Sequence, residues 1–161
     1  MIVLYNFFLF IQLLYSLNVY DLDNNKIDLR ELSDSSLILF YQSPTCHQCW
    51  VELSAAITEL EVKQKIYIII KSKDNFFLKV DFKNTVSEYL KFDNCFYDTF
   101  KKRDKSDSVS NSVFQDYKVL NTPSILIIKG SKEIFIPYGK LFYKGFTSKT
   151  IKKELINILK D

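Results

Sequence analysis

The sequence predicts an α/β fold whose sheet mixes parallel and antiparallel strands, and three observations carry that prediction. Two apolar runs, residues 37–41 and 66–70, flank a segment with helical periodicity, which is the spacing of a βαβ crossover. A third apolar run at 124–128 is followed by Lys129-Gly130-Ser131, a hairpin turn, and a return strand at 133–136. An amphipathic helix at 149–160 closes the chain. With 161 residues, 47% of them hydrophobic and 25% charged, the chain suits a single domain with a real core. A net charge of +3, without a basic stripe interleaved with aromatics, argues against nucleic acid as a partner.

The elements follow in order. No charged residue occurs in the first 20 positions, although the chain carries 22 basic and 19 acidic side chains. Residues 2–17 are broken only by Asn6, Gln12 and Ser16, a length suited to the apolar region of a secretory signal and short for a spanning helix of about 20 residues. Residues 1–18 are therefore expected to be a signal peptide or membrane anchor, and residues 19–161 the folded domain. Export would bring the cysteines where disulfide chemistry is routine, in a periplasm, a secretory lumen or on an outward-facing anchor.

Within the domain, 19–29 holds two short strands around the turn signal Asp23-Asn24-Asn25, and 31–36 is a polar turn. Leu37, Ile38, Leu39, Phe40 and Tyr41 form a strand buried on both faces, ended by Ser43-Pro44-Thr45. From Cys46 onward Val51, Leu53, Ala55, Ala56, Ile57 and Leu60 give an apolar helical face, with Glu52, Glu59 and Lys63 outside it. The stretch 75–92 is expected to be mostly helical, and 101–112 a polar loop whose Lys101-Lys102-Arg103 is a solvated turn. A short helix or turn at 114–119 leads to Asn121-Thr122-Pro123. After the hairpin, Tyr138-Gly139-Lys140 is expected to turn again into a short strand at 141–144. Gly145 then precedes Thr147-Ser148, which would cap the last helix, with Ile151, Leu155, Ile158 and Leu159 on its apolar side.

The segment Cys46-His47-Gln48-Cys49 carries the chemistry. Two cysteines three positions apart at a helix start can close a small disulfide ring. The first thiol then lies beside unpaired backbone N–H groups and the positive end of the helix dipole, which favour a thiolate. Because the thiolate is the attacking species, this spacing builds an exchangeable electron pair without a cofactor. Zinc sites and plain structural bridges use the same spacing, so the motif alone leaves those readings open.

The order of strand, CxxC, helix, strand, helix, Thr-Pro, strand, hairpin, glycine and helix resembles the thioredoxin superfamily over nearly all of the chain after residue 19. The likeness is carried by Phe40-Tyr41 leading into Cys46-His47-Gln48-Cys49, by Thr122-Pro123-Ser124 opening a strand, by Gly130 in the hairpin and by Gly145 before the last helix. It implies a thioredoxin-like three-layer fold, a central mixed sheet flanked by helices, with an N-terminal β-hairpin extension. It also implies a cis Thr122-Pro123 bond packed against the disulfide, presenting the Thr122 backbone to a substrate strand. The segment 24–32 and the long insert before Thr122 look more like the TlpA-type extracytoplasmic reductases than like thioredoxin itself. In that branch Glu52 matches a carboxylate beneath the active site that helps move a proton to or from the resolving thiol; the alternative is an exposed helix residue. Three departures stand out: Thr45 where the family usually has Trp, Gln48 where it usually has Pro, and Phe40 where thioredoxin has a buried acid. His47, if protonated, would stabilise a Cys46 thiolate by charge proximity and push toward an oxidising couple.

These readings converge on thiol–disulfide exchange with protein thiols and disulfides and with a redox partner protein. Cys46 would attack, Cys49 resolve, and Thr122 and Pro123 shape the substrate groove. No metal or cofactor is called for, and a membrane is engaged only through an uncleaved N-terminal anchor. A different class of function is a non-catalytic binding module with a static Cys46–Cys49 bridge. A metal site made of Cys46, His47, Cys49 and Cys95 is disfavoured because adjacent Cys46 and His47 are poorly arranged for one tetrahedral ion. A thiol peroxidase is disfavoured because Pro44-Thr45-Cys46 is too compressed for a Pro-x-x-x-Thr-x-x-Cys motif. Cys95, in the aromatic context Phe92-Asp93-Asn94-Cys95-Phe96-Tyr97, reads as an inert, buried thiol, with a resolving or partner-linking role as the alternative. Trp50 is expected to pack near the active-site helix.

Overall fold

A computed structural model describes residues 18–72, 82–99 and 112–160, apart from 22, 24 and 33. The leader expected at 1–18 thus lies outside the described residues except for its last position, as does nearly all of the polar loop at 101–112. No described helix is long and apolar enough to cross a membrane.

The described strands are β1 (Asn18–Tyr20), β2 (Lys26–Asp28), β3 (Ser35–Tyr41), β4 (Lys65–Ser72), β5 (Asn94–Thr99), β6 (Ser124–Lys129) and β7 (Lys132–Ile136). They form one seven-stranded sheet in the order β2-β1-β5-β4-β3-β6-β7. β3, β4 and β5 run parallel, while β6, β7 and the β1–β2 hairpin pair antiparallel. The helices are α1 (His47–Glu59), α2 (Val113–Asp116), α3 (Tyr138–Leu141) and α4 (Ser148–Lys160). The mixed sheet, the three layers and the N-terminal hairpin agree with the expectation.

Side chains of a strand point alternately to opposite faces, and β3 shows what that does at the centre of a sheet. Leu37, Leu39 and Tyr41 join the cluster under α1 and α4, with Leu53, Ile57, Ile68, Ile125, Ile151 and Leu155. Ile38 and Phe40 join the opposite cluster, with Ile69, Phe96, Phe114 and Leu126. A strand covered on both sides must be apolar at every position, hence the unbroken run. Each fully buried Leu or Ile contributes roughly 1.5–3 kcal/mol of transfer free energy, so the two faces together anchor the elements that carry the cysteines. Phe40 is fully buried, with its ring edge-on to Phe114 at 5.2 Å and to Phe135 at 6.0 Å.

Register aligns a row across the sheet: Tyr41 opposite Ile70, Ile70 opposite Tyr97, and Tyr97 opposite Tyr20. β5 itself was not expected from the sequence. Its start is fixed by Asp93, whose carboxylate accepts the Ile66 N–H at 2.7 Å and pairs with Lys65 at 3.0 Å. At its other end Asp98, 3% exposed, accepts the Ser112 hydroxyl and the N–H groups of Val113 (2.7 Å) and Phe114 (3.3 Å). That carboxylate caps α2 and holds it on the second face of the sheet.

One expectation is met in part and one is corrected. Among the described residues of 75–92, the chain is helical through Lys83–Ser87, as a turn of π-helix, and a turn follows at Glu88 and Tyr89. The strand expected at 141–144 is absent: Leu141 N–H and Phe142 N–H donate to the carbonyls of Pro137 and Tyr138, so the chain coils into α3. Pro137, with φ of −69°, is already set for a helix start, and coiling buries Leu141 and Phe142 together against the α1 side, where a strand would bury one of them.

Candidate active site

Cys46 and Cys49 are joined as a disulfide at the junction of β3 and α1. Cys46 is the N-cap residue: its backbone is extended, and its Sγ accepts the Cys49 N–H at 3.2 Å. An N-cap normally takes Ser, Thr, Asp or Asn; here sulfur fills one of the orphan donor positions. Cys46 is exposed and Cys49 is fully buried beneath it. The first turn of α1 carries no acidic residue to oppose negative charge on Cys46.

A hydrogen-bonded cluster ties the turn to the loop before β6. The Thr122-Pro123 bond is cis, as the resemblance implied, and Ser43-Pro44 is cis as well, which was not expected. Thr45 Oγ1 donates to the Thr122 carbonyl at 3.0 Å, lies 3.0 Å from Thr122 Oγ1, and accepts the Trp50 indole N–H at 3.1 Å. Thr122 Oγ1 also accepts the Gln42 N–H at 3.3 Å. Thr45 thus bridges the segments before Cys46 and before Pro123. It also satisfies the polar end of Trp50, whose ring is fully buried against Tyr41 at 5.6 Å.

The remaining sequence candidates diverge. His47 is exposed, with its ring edge-on to Tyr89 at 5.7 Å. Gln48 is exposed and donates from Nε2 to Glu52 Oε1 at 2.9 Å. Glu52 is half-buried, and its Oε2 accepts the Ser148 N–H at 2.6 Å, so the carboxylate spans from the first turn of α1 to the N-terminus of α4. Cys95 sits on β5, away from these residues in sequence and half-buried; burial pushes its thiol above the ordinary cysteine range. Among the described residues no group of three or more His, Cys, Asp or Glu side chains is arranged to hold a metal ion.

Two participants escaped the sequence. Thr45 was noted only as a departure from pattern. Tyr138, the first residue of α3, brings its Oη to 3.3 Å from Cys49 Sγ across 89 positions of sequence. No local signal marks such a residue; only the pairing of β6 with β7 carries it to α1.

Solved structures of the same architecture agree with this reading of the fold. A secreted disulfide oxidoreductase of Mycobacterium tuberculosis homologous to E. coli DsbE is 15% identical, with TM-score 0.54 over 87% of this chain and 94% of that one. The thioredoxin domain of a thiol-disulfide oxidoreductase from Bacteroides vulgatus is 17% identical, with TM-score 0.53 over 89% and 93%. A thio-disulfide isomerase from Thermus thermophilus is 16% identical, with TM-score 0.51 over 91% of each chain. No family model and no curated protein sequence matches the chain. The chain has the thioredoxin fold, with a CxxC disulfide at the head of its first long helix.

Proposed function

We propose that the protein is a thiol–disulfide oxidoreductase that exchanges disulfides with protein thiols through Cys46 and Cys49. The observation that carries this reading is the asymmetry of the pair: an exposed Cys46 whose sulfur already accepts a helix N-terminal N–H, above a Cys49 with no exposure. An incoming disulfide meets Cys46 first, and the mixed disulfide is then within reach of Cys49. Pro123 and the Thr122 backbone form the wall of the substrate groove. His47 adds positive charge beside Cys46 when protonated, and Gln48 and Glu52 hold the helix start against α4. In this reading Glu52 helps move a proton to or from the resolving thiol.

Export is part of the proposal. Residues 1–18 direct the domain, residues 19–161, out of the cytoplasm and are cleaved or kept as an anchor; the secreted M. tuberculosis protein of the same fold supports this. A redox partner outside the cytoplasm then restores the Cys46–Cys49 couple.

The test uses single variants. In the reduced protein Cys46 should be alkylated at least tenfold faster than Cys49. Cys49→Ser should accumulate mixed disulfides with disulfide-bonded protein substrates, and Cys46→Ser should accumulate none. If both variants keep insulin disulfide reduction, or if Cys49 is the faster thiol, the pair is a static bridge in a binding module.

A further inference from the structure

The two sulfurs of the disulfide have different polar neighbours. Cys46 Sγ takes the Cys49 N–H at 3.2 Å, whereas Cys49 Sγ faces the phenol of Tyr138 at 3.3 Å. The phenol is held there from both ends. Its backbone N–H donates to Ser124 Oγ at 3.0 Å, and the Ser124 hydroxyl donates to the Asn121 carbonyl at 2.8 Å, so Tyr138 is referenced to the segment carrying the cis Thr122-Pro123 bond. Its ring packs on Phe142 at 4.7 Å, and Phe142 stacks on Phe146 at 5.4 Å. The other titratable side chains at this end of α1 have partners elsewhere: His47 meets Tyr89, and Glu52 takes the Ser148 N–H.

A thiolate at fully buried Cys49 is stripped of water and needs a donor, and a hydrogen bond to a charged acceptor is about twice as strong as a neutral one. We infer that Tyr138 is a catalytic residue of the exchange, its O–H donating to the Cys49 sulfur whenever that sulfur carries negative charge. This inference rests on Cys46–Cys49 being the exchanging pair.

The step balances as follows. A thiolate R–S⁻ attacks Cys46 Sγ; the R–S–Sγ bond forms, the bond between the two cysteine sulfurs breaks, and Cys49 Sγ leaves with the electron pair. Tyr138 stabilises that charge by hydrogen bonding and keeps its proton. In reverse, the same Cys49 thiolate attacks Cys46 Sγ and expels R–S⁻. Lowering the pKa of Cys49 speeds its departure by part of the change in its acidity, and in the reverse attack a gain in thiolate fraction is set against a loss of nucleophilicity. Opening of the disulfide, where the phenol stabilises the leaving sulfur, reads its role directly.

Tyr138→Phe keeps the ring and its packing and removes one O–H. In a Cys46→Ala background the thiolate titration of Cys49, followed by ultraviolet absorbance, should move up by about one pH unit, a tenfold change. In the chain with both cysteines, glutathione should open the disulfide about threefold more slowly, while alkylation of reduced Cys46 keeps its rate. Tyr117→Phe, which removes a phenol from the opposite face of the sheet, should leave all three quantities at their original values. If Tyr138→Phe leaves both the Cys49 titration and the opening rate unchanged, the phenol has no catalytic role and the exchange reading stands. If it slows Cys46 and Cys49 alike and lowers the unfolding midpoint, the residue is structural and the inference fails. If the original protein does not exchange with glutathione at all, the exchange reading falls and the inference with it.

Discussion

Replacing Thr45 by Val is the sharpest probe of how the CxxC turn is held to the cis-proline loop. The two side chains are nearly the same size, so the change deletes hydrogen bonds and little else. Thr45 Oγ1 is the acceptor for the indole N–H of Trp50, a residue with no exposure, and the donor to the Thr122 carbonyl. Stranding a buried donor costs about 1–3 kcal/mol, and losing the second, partly buried bond adds about 0.5–1.5 kcal/mol. The net expectation is about 3 kcal/mol of lost stability, or about 6–12 °C in melting midpoint for a domain of this size. Trp50 is the single tryptophan of the chain, so its emission reports on this site directly. Guanidinium denaturation followed by Trp50 fluorescence, with the disulfide intact in both proteins, measures the difference. If Thr45→Val stays within about 0.5 kcal/mol of the original and the Trp50 emission maximum is unmoved, Thr45 does not bridge the two segments.

Two further expectations concern the scaffold. Burial outweighs three hydrogen bonds at Asp98 and holds its carboxyl above the ordinary range. The folded state then binds the extra proton between the unfolded and folded pKa, so this group's stabilisation is complete below the usual carboxylate pKa of about 4 and is lost as pH rises through the folded value. In denaturation curves across that window, the stability of the original relative to Asp98→Asn should fall as pH rises; a relative gain contradicts the raised pKa. Gly145, with φ of +126°, occupies backbone space closed to side chains, so Gly145→Ala should cost about 1–2 kcal/mol by chemical denaturation. No measurable loss would mean that the turn before α4 tolerates a Cβ.

How much was legible depended on whether a signal was local. The unbroken run of β3 and its neighbour β4, the hairpin at Gly130, and the Thr147 cap of α4 are each written within a few residues, and each matches the structure. β5 was missed because Asn94, Asp98 and Thr99 dilute its apolar content. What makes it a strand is the parallel partner β4 and the Asp93 clasp, both decided by tertiary pairing. The coil after β7 is not legible in the sequence because Leu141 and Phe142 carry no period in so short a stretch. At the site, the cysteines and the cis-proline stand out as motifs. Thr45 and Tyr138 do not, since their meaning lies in partners 77 and 89 residues away.

The row that joins Tyr41, Ile70, Tyr97 and Tyr20 has a geometric consequence for the whole molecule. β1 runs against β5, so Asn18 lies beyond Tyr20 on the same end of the sheet from which β3 delivers Cys46. Three strand spacings separate β1 from β3, roughly 14 Å. The point at which any preceding segment joins the domain therefore lies on the rim that carries the disulfide and not at the back of the sheet.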